Sequence, residues 1–334
     1  MRLLQTLTVA CFALAPSALG RSEAFLNDFD EAAALAREEN KDLFVDFTGS
    51  DWCGWCIKLD EEVFSHEAFL VEARKDFVLV ALDFPRGDEA KAAVPNPERN
   101  DELREKYGIR GYPSCLLMTA DGDVYAQTGY QKGGPEKYIE HLRELRKTGR
   151  KALEDVLALV KRFEATEGDA RLAVWEEIIT LLESLDAGSA IARRLAGPVK
   201  TALEQDPDNA AGRKLRAIKA LLAAGLADDA VLAGARELDP KNEAGLLELV
   251  VAAQMEAVDS EEAVRAVCVA IAELDALGPI QDQELAFRFY LNAAAWNDRF
   301  LEDSEAAKKF AAKAKAIGTE NERILEMLDG ILDS

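Results

Sequence analysis

The 334-residue chain is poor in the residues that build metal sites and disulfide scaffolds. It has five cysteines and two histidines, too few for a disulfide framework. A structural zinc site needs four Cys or His ligands, often as paired motifs, and the sequence has one Cys-x-x-Cys pair with no second pair to complete it. Cations are also in deficit: 40 Lys and Arg face 62 Asp and Glu, a formal net charge of −22. That balance excludes a nucleic-acid partner, because phosphate contacts need clustered Lys and Arg. It reads as a solvated acidic surface that keeps the chain soluble. Past the first twenty residues, no apolar run approaches the roughly 20 residues that a membrane helix needs. Apolar residues still make up 49% of the chain, enough for buried cores, and the length suggests about two domains.

The first twenty residues, MRLLQTLTVACFALAPSALG, differ from everything after them. Arg2 gives a positive start, an apolar run extends from Leu3 to Ala15, and Ala18 and Gly20 supply small residues after Pro16. This is the pattern of a secretory signal peptide over residues 1–20, with Cys11 as a less favoured lipid-attachment alternative. The expectation is a periplasmic or secreted protein with no transmembrane segment in its mature chain, working where disulfides persist.

The remainder has two grammars. Residues 21–148 alternate helical and strand-like segments. "FDEAAALAREENK" reads as a helix, "DLFVDFT" as a strand, and a helix follows from Cys53 through Val63. "HEAFLVEARKD" reads as helix and "FVLVALDF" as a buried strand. A Pro- and charge-rich connection, "PRGDEAKAAVPNPERN", leads to a short helix "DELREKYG". "YPSCLLMT" and "VYAQTG" then flank an "ADGD" turn, and a last amphipathic helix spans about Pro135 to Lys147. Strands separated by helices, with a hairpin at one edge, predict an α/β layer. Residues 149–334 lose the strand signal and keep helical spacing. "DPDN" and "DPKN" place Asp206 and Asp239 33 residues apart. Each sits between helical stretches, where Asp can cap and Pro can begin the next helix. "LDALGP" near Asp275 and "IGTEN" near Gly318 read as worn copies of the same junction. A period near 34 resembles tetratricopeptide repeats, although a clear Trp-Leu-Gly-Tyr signature is lacking; an irregular bundle is the alternative.

"SDWCGWCIKL" carries the chemistry. Two thiols at i and i+3, at the start of a helix, face unpaired amides and the positive end of the helix dipole. That setting favours thiolate over thiol. The second sulfur, one turn further in, can reach the first. Cys53 is thus expected to attack a disulfide and Cys56 to resolve the mixed intermediate. A lone Cys-x-x-Cys is a moderate signal, so the surroundings must add to it.

They do. "VDF" at 45–47, "WCGWC" at 52–56, "KYGIRGYPS" at 106–114 and "ADGDVYAQTGY" at 120–130, closed by a helix, occur in the order and spacing of the thioredoxin family. The chain resembles that family over residues 29 to about 147. The resemblance implies an α/β thioredoxin-like fold there; with the helical spacing and period of residues 149–334, the expected fold class is that domain followed by an all-α, helical-repeat domain. It implies a cis bond before Pro113, with Tyr112 offering backbone hydrogen bonds to an extended substrate. It also implies that Asp46 is a buried carboxylate taking the proton from Cys56, and that Trp52 shapes the substrate face. Trp55, between the cysteines, is expected to contact substrates. The sequence departs from the pattern in three ways. One extra residue lies between Phe47 and Cys53. No lysine occurs in "FVLVALDF" to accompany Asp46. Gly54-Trp55 matches neither the Gly-Pro of reducing members nor the His-containing pairs of oxidising ones, so the redox direction stays open.

The resulting expectation is an exported thiol–disulfide oxidoreductase that needs no bound cofactor or metal. Its partners would be exported proteins with thiols or disulfides, and an unidentified redox partner. The alternative is a protein-binding, chaperone-like module in which the helical part dominates and the thioredoxin fold is a scaffold. Cys115, Cys268, Trp175 and Trp296 read as core residues, His66 as a helix-start residue and His141 as a surface one.

Overall fold

The computed structural model describes residues 24–334; the leader-like segment 1–20, with Cys11, lies outside the described residues. The chain divides into two compact units after Glu154.

The first unit is a five-stranded mixed sheet in the order β1-β3-β2-β4-β5. Its central strand β2 (Asp42–Thr48) has all seven residues buried. It pairs in parallel with β3 (Phe77–Asp83) and antiparallel with β4 (Ser114–Met118). A strand covered on both faces reads as a continuous apolar run, which is why "DLFVDFT" shows no alternation. β5 (Val124–Thr128) closes the hairpin edge. At the other edge lies a two-residue strand, β1 (Phe25–Leu26), too short to register in the sequence. Side chains alternate across the sheet. Val45, Phe47, Val80, Leu82, Leu116 and Met118 pack on one face, with α1 (Phe29–Glu39) and α5 (Pro97–Tyr107). Phe44 lies on the other face, edge-on to Phe64, Phe69 and Phe77. Phe64 ends the π-turn Asp60–Phe64 that extends α2 (Gly54–Leu59), and Phe69 belongs to α3 (Glu67–Asp76).

Two expectations are corrected here. The charged connection after β3 contains two helices, α4 (Asp88–Ala93) and an α5 that begins at Pro97 rather than near Asp101. Proline lacks an N–H, but the first helical position has no use for one. The closing helix α6 runs Gly134–Glu164, well past Lys147. Gly149 does not break it. A Cβ there would sit 2.5 Å from the carbonyl oxygen of Tyr125, so glycine lets the helix approach β5 closely.

The second unit contains α7 (Gly168–Ser184), α8 (Arg193–Gln205), α9 (Arg213–Ala223), α10 (Asp229–Leu238), α11 (Leu246–Glu256), α12 (Glu261–Leu277), α13 (Gln283–Trp296), α14 (Ser304–Ile317) and α15 (Glu322–Asp333). No strand interrupts them among the described residues. The junctions at Asp206 and Asp239 are built alike. Asp206 accepts from the amides of Ala211 and Arg213, and Asp239 from those of Ala244 and Leu246. Asn209 and Asn242 are both left-handed, at φ 54° and 59°, as are Gly212 and Gly245 at 75° and 76°. Asn and Gly tolerate that region without the Cβ penalty. The prolines do not begin the next helices, which start at Arg213 and Leu246; the aspartates instead fold a loop whose far end they cap. The segment at Asp275 is no copy of this junction: Asp275 lies inside α12, receiving Tyr290 Oη at 2.8 Å and Lys309 Nζ at 3.1 Å. Near Gly318, Asn321 caps α15 on its own. Trp175 and Cys268 are buried as expected, and Trp296 packs half-buried against the same helical core as Phe289.

Candidate active site

The loop between β2 and α2 is pinned to the end of β3 before it reaches the first cysteine. Ser50 donates to Asp83 through its amide at 2.9 Å and its hydroxyl at 2.5 Å. Asp51 accepts from the amides of Arg86 and Gly87, and these bonds hold its carboxyl below the usual range. Trp52 Nε1 donates to the Phe84 carbonyl at 2.9 Å, and Cys53 N to Gly49 O at 2.9 Å. The extra residue in this loop is therefore absorbed in a bonded turn.

Cys53 is the N-cap of α2. Its Sγ accepts the amide of Cys56 at 3.2 Å, the bond that a capping side chain makes to the third residue beyond it. The two sulfurs form a disulfide across a Cα–Cα distance of 5.2 Å. Both cysteines are nearly enclosed, whereas Trp55 between them is 58% exposed. Cys56 opens onto a cleft of about 590 Å³, shared with Phe25, Thr48, Ser50, Ala81 and Asp83.

Aromatic pairs flank the dithiol. On one side Trp52 meets Tyr112 at 5.7 Å, and Tyr112 meets Phe84 at 5.4 Å; the Arg86 guanidinium lies 3.9 Å above the Trp52 ring. The Tyr112–Pro113 bond is cis. On the other side Trp55 meets Tyr130 at 5.1 Å, with Lys58 Nζ about equally close to both rings. The Tyr130 hydroxyl donates to Glu62 at 2.6 Å.

Asp46 is 1% exposed. Its strand neighbour on the same face, Thr48, lines the cleft beside Cys56, as does Ala81, which stands opposite Asp46 in register. Alternation therefore sets the Asp46 carboxylate on the sheet face that α2 covers. Cys115 Sγ, on β4, donates to Asp46 Oδ1 at 3.6 Å.

A family model described as a thioredoxin-like domain matches residues 29–146. The disulfide bond reductase DsbH of Chlamydia pneumoniae is 31% identical over 117 residues, covering 34% of this chain and 68% of that protein. The chain belongs to the thioredoxin-like family. It is a thiol–disulfide oxidoreductase, and its Cys53–Cys56 pair is the family's cysteine motif in disulfide form. The thioredoxin-related protein DsbJ of the same organism is 30% identical over 93 residues, 28% of this chain and 26% of that protein. A solved structure of a DsbH oxidoreductase covers 42% of this chain and 94% of its own, at 26% identity and a TM-score of 0.34.

Of the residues that the sequence singled out, Cys53 and Cys56 are bonded to each other and Trp52 is in contact with Tyr112. Trp55 stands apart on its own platform. Lys58, Arg86 and Tyr130 were missed. Lys58 follows Trp55 by one helical turn, a spacing that places side chains together, so that signal was available; Arg86 and Tyr130 are distant in sequence and carried none. Cys115 lies in the core as expected, but bonded to the carboxylate. His66 precedes α3 as its N-cap and makes no side-chain cap bond. His141 is half-buried against β5, not on the surface: its Nε2 lies 2.8 Å from Thr128 Oγ1. Burial holds it below the ordinary histidine range.

Proposed function

We propose that this chain is an exported reductase of protein disulfides, and that the helical part holds the client. The observation that carries the redox step is Cys53 at the helix cap, its sulfur already bonded to an amide that would stabilise a thiolate. In the reduced enzyme the Cys53 thiolate attacks a client disulfide, forming a mixed disulfide and releasing one client sulfur with its electron pair. Cys56 then gives its proton to Asp46 and attacks Cys53 Sγ. The Cys53–Cys56 bond forms, the second client sulfur leaves, and the client has gained two electrons. An external dithiol, the unidentified redox partner, returns the enzyme to its reduced form. The reducing direction is supported by the likeness to a protein named as a disulfide bond reductase. Export is supported by the leader-like sequence of residues 1–20, and a periplasmic or secreted location is one where client disulfides persist.

Trp52, Trp55, Tyr112 and Pro113 are the proposed client-facing residues, with Trp55 presenting the most exposed ring. The helical unit, compact from Asp155 onward, adds a groove of about 490 Å³ along α11 and α12, where Leu247, Val250, Val251 and Leu274 are joined by Arg236, Gln254 and Glu273. Val269 and Leu277 at the same groove are about half exposed. A docking surface of this kind raises the client concentration at Cys53, and stacked helix pairs suit an extended segment. The same groove supports the chaperone-like reading, in which holding clients is the main task.

Insulin reduction by the full chain, driven by dithiothreitol, is the test. Cys53→Ser should abolish turnover and Cys56→Ser should accumulate a mixed disulfide, while turnover near the level of the parent in Cys53→Ser would overturn the assignment. If Cys53→Ser loses turnover but still suppresses client aggregation as well as the parent does, the chaperone-like role stands as a second activity.

A further inference from the structure

The buried Asp46 carboxylate has no lysine supplied by β3, which reads FVLVALD. Ala81 stands opposite Asp46 on that strand. From α2 and its π-turn, Asp60 and Glu61 face the cleft that Cys56 opens onto, together with Asp83 from β3. At the far end of β2 on the same face lies Asp42, to which the α6 cations Arg146 and Arg150 are bonded. From α6 comes Tyr138, whose hydroxyl donates to Gly129 O at 3.0 Å. Burial, then the proximity of Cys115 and Asp46, holds Tyr138 well above its ordinary range. His141 on the same helix is engaged by Thr128. β4 contributes Cys115, fully buried, directly opposite Asp46 in the antiparallel register and donating to its Oδ1.

We propose that Cys115 is a positioning residue for the resolving step: its thiol, a neutral donor, holds the Asp46 carboxylate oriented and ionised to receive the Cys56 proton. This rests on the assignment of Asp46 as that acceptor. A donor to the charged form favours it, while burial and like charges oppose it. In a carboxyl as buried as Asp46, removing the donor lets the proton be retained to higher pH. A protonated Asp46 cannot accept another proton, so resolution slows on the acid side. Cys115 itself transfers no electrons; its S–H bond stays intact throughout.

The experiment is the pH dependence of resolution in the full chain. A mixed disulfide between Cys53 and a fluorescent peptide thiol is preformed, and peptide release is followed from about pH 4 to 9. Cys115→Val fills the space without a donor, Cys115→Ser keeps a donor, and Asp46→Asn removes the acceptor. Each is compared at equal folded fraction by circular dichroism. The expected result is an acid limb displaced upward by about one pH unit in Cys115→Val, hence about tenfold slower release on the acid limb. Cys115→Ser should keep the parental limb, and Asp46→Asn should lose it. If Asp46→Asn loses the limb while Cys115→Val matches the parent, the positioning role is overturned and the relay stands. If Cys115→Ser shifts as Cys115→Val does, the residue acts through packing, and the proposal fails. An unchanged limb in Asp46→Asn removes the relay itself, and with it the role of Cys115.

Discussion

Asp42→Asn tests what ties α6 to the sheet that carries the site. Asp42 is 1% exposed, at the start of β2, and its carboxylate accepts from three donors. These are Arg146 Nε at 2.7 Å, Arg150 Nη1 at 2.5 Å and the Tyr125 hydroxyl at 2.8 Å. Burial, then the carboxylate itself, keeps the Tyr125 hydroxyl firmly protonated and donating. Asparagine retains one acceptor oxygen and turns an amide toward the other donors, so about two of the three bonds are lost. Hydrogen bonds to charged groups contribute about 1.5–3 kcal/mol each when buried. The two guanidiniums are 32% and 41% exposed, so water takes up part of the loss, and Arg146 keeps Asp76 at 3.1 Å. Discounted by roughly half for that solvation, the change costs about 1.5–3 kcal/mol. For a domain of this size that is roughly 6–12 °C in Tm. Calorimetry of the full chain reads it, with the transition of the first unit assigned by its shift on reduction of Cys53–Cys56. A shift of that transition below about 2 °C would refute the reasoning and show that solvent replaces the network fully.

Two further outcomes follow from the packing. Gly149→Ala should lower the Tm of the first unit although alanine is the better helix former by about 1 kcal/mol, because its Cβ would collide with the Tyr125 carbonyl; an unchanged or raised Tm by the same calorimetry would mean that α6 can shift without cost. Asp206→Ala and Asp239→Ala should each lower the second calorimetric transition by a similar amount and leave reduction of a small aromatic disulfide unaltered, since the two loops make matching bonds; clearly unequal shifts would show that the two junctions are alike in sequence without being alike in energy.

Most elements of the first unit, though not the two-residue β1 or the helix Asp88–Ala93, were determined by the sequence alone, as were the cysteine pair and the all-helical character of the rest. Each is a local signal: an apolar run buried on both faces, two thiols one helical turn apart, or helical spacing unbroken by strand patterns. The Asp-Pro-x-Asn repeat was likewise local, and its two copies fold alike because Asn and Gly accept the same left-handed turns. Its misread detail, the start of the next helix, came from letting proline stand for a helix start when the aspartate reaches five and seven residues ahead. Tertiary structure decided the rest, through contacts between residues that the sequence keeps far apart. Cys115 and Asp46 are 69 residues apart and become neighbours through antiparallel register. Arg86 reaches Trp52 because β3 ends beside the active-site loop. The closing helix continues past Lys147 because Gly149 lets it pass close to the Tyr125 carbonyl of β5. Periodicity records which face of an element is buried; what that face meets is fixed when the sheet closes and the helices pack against it.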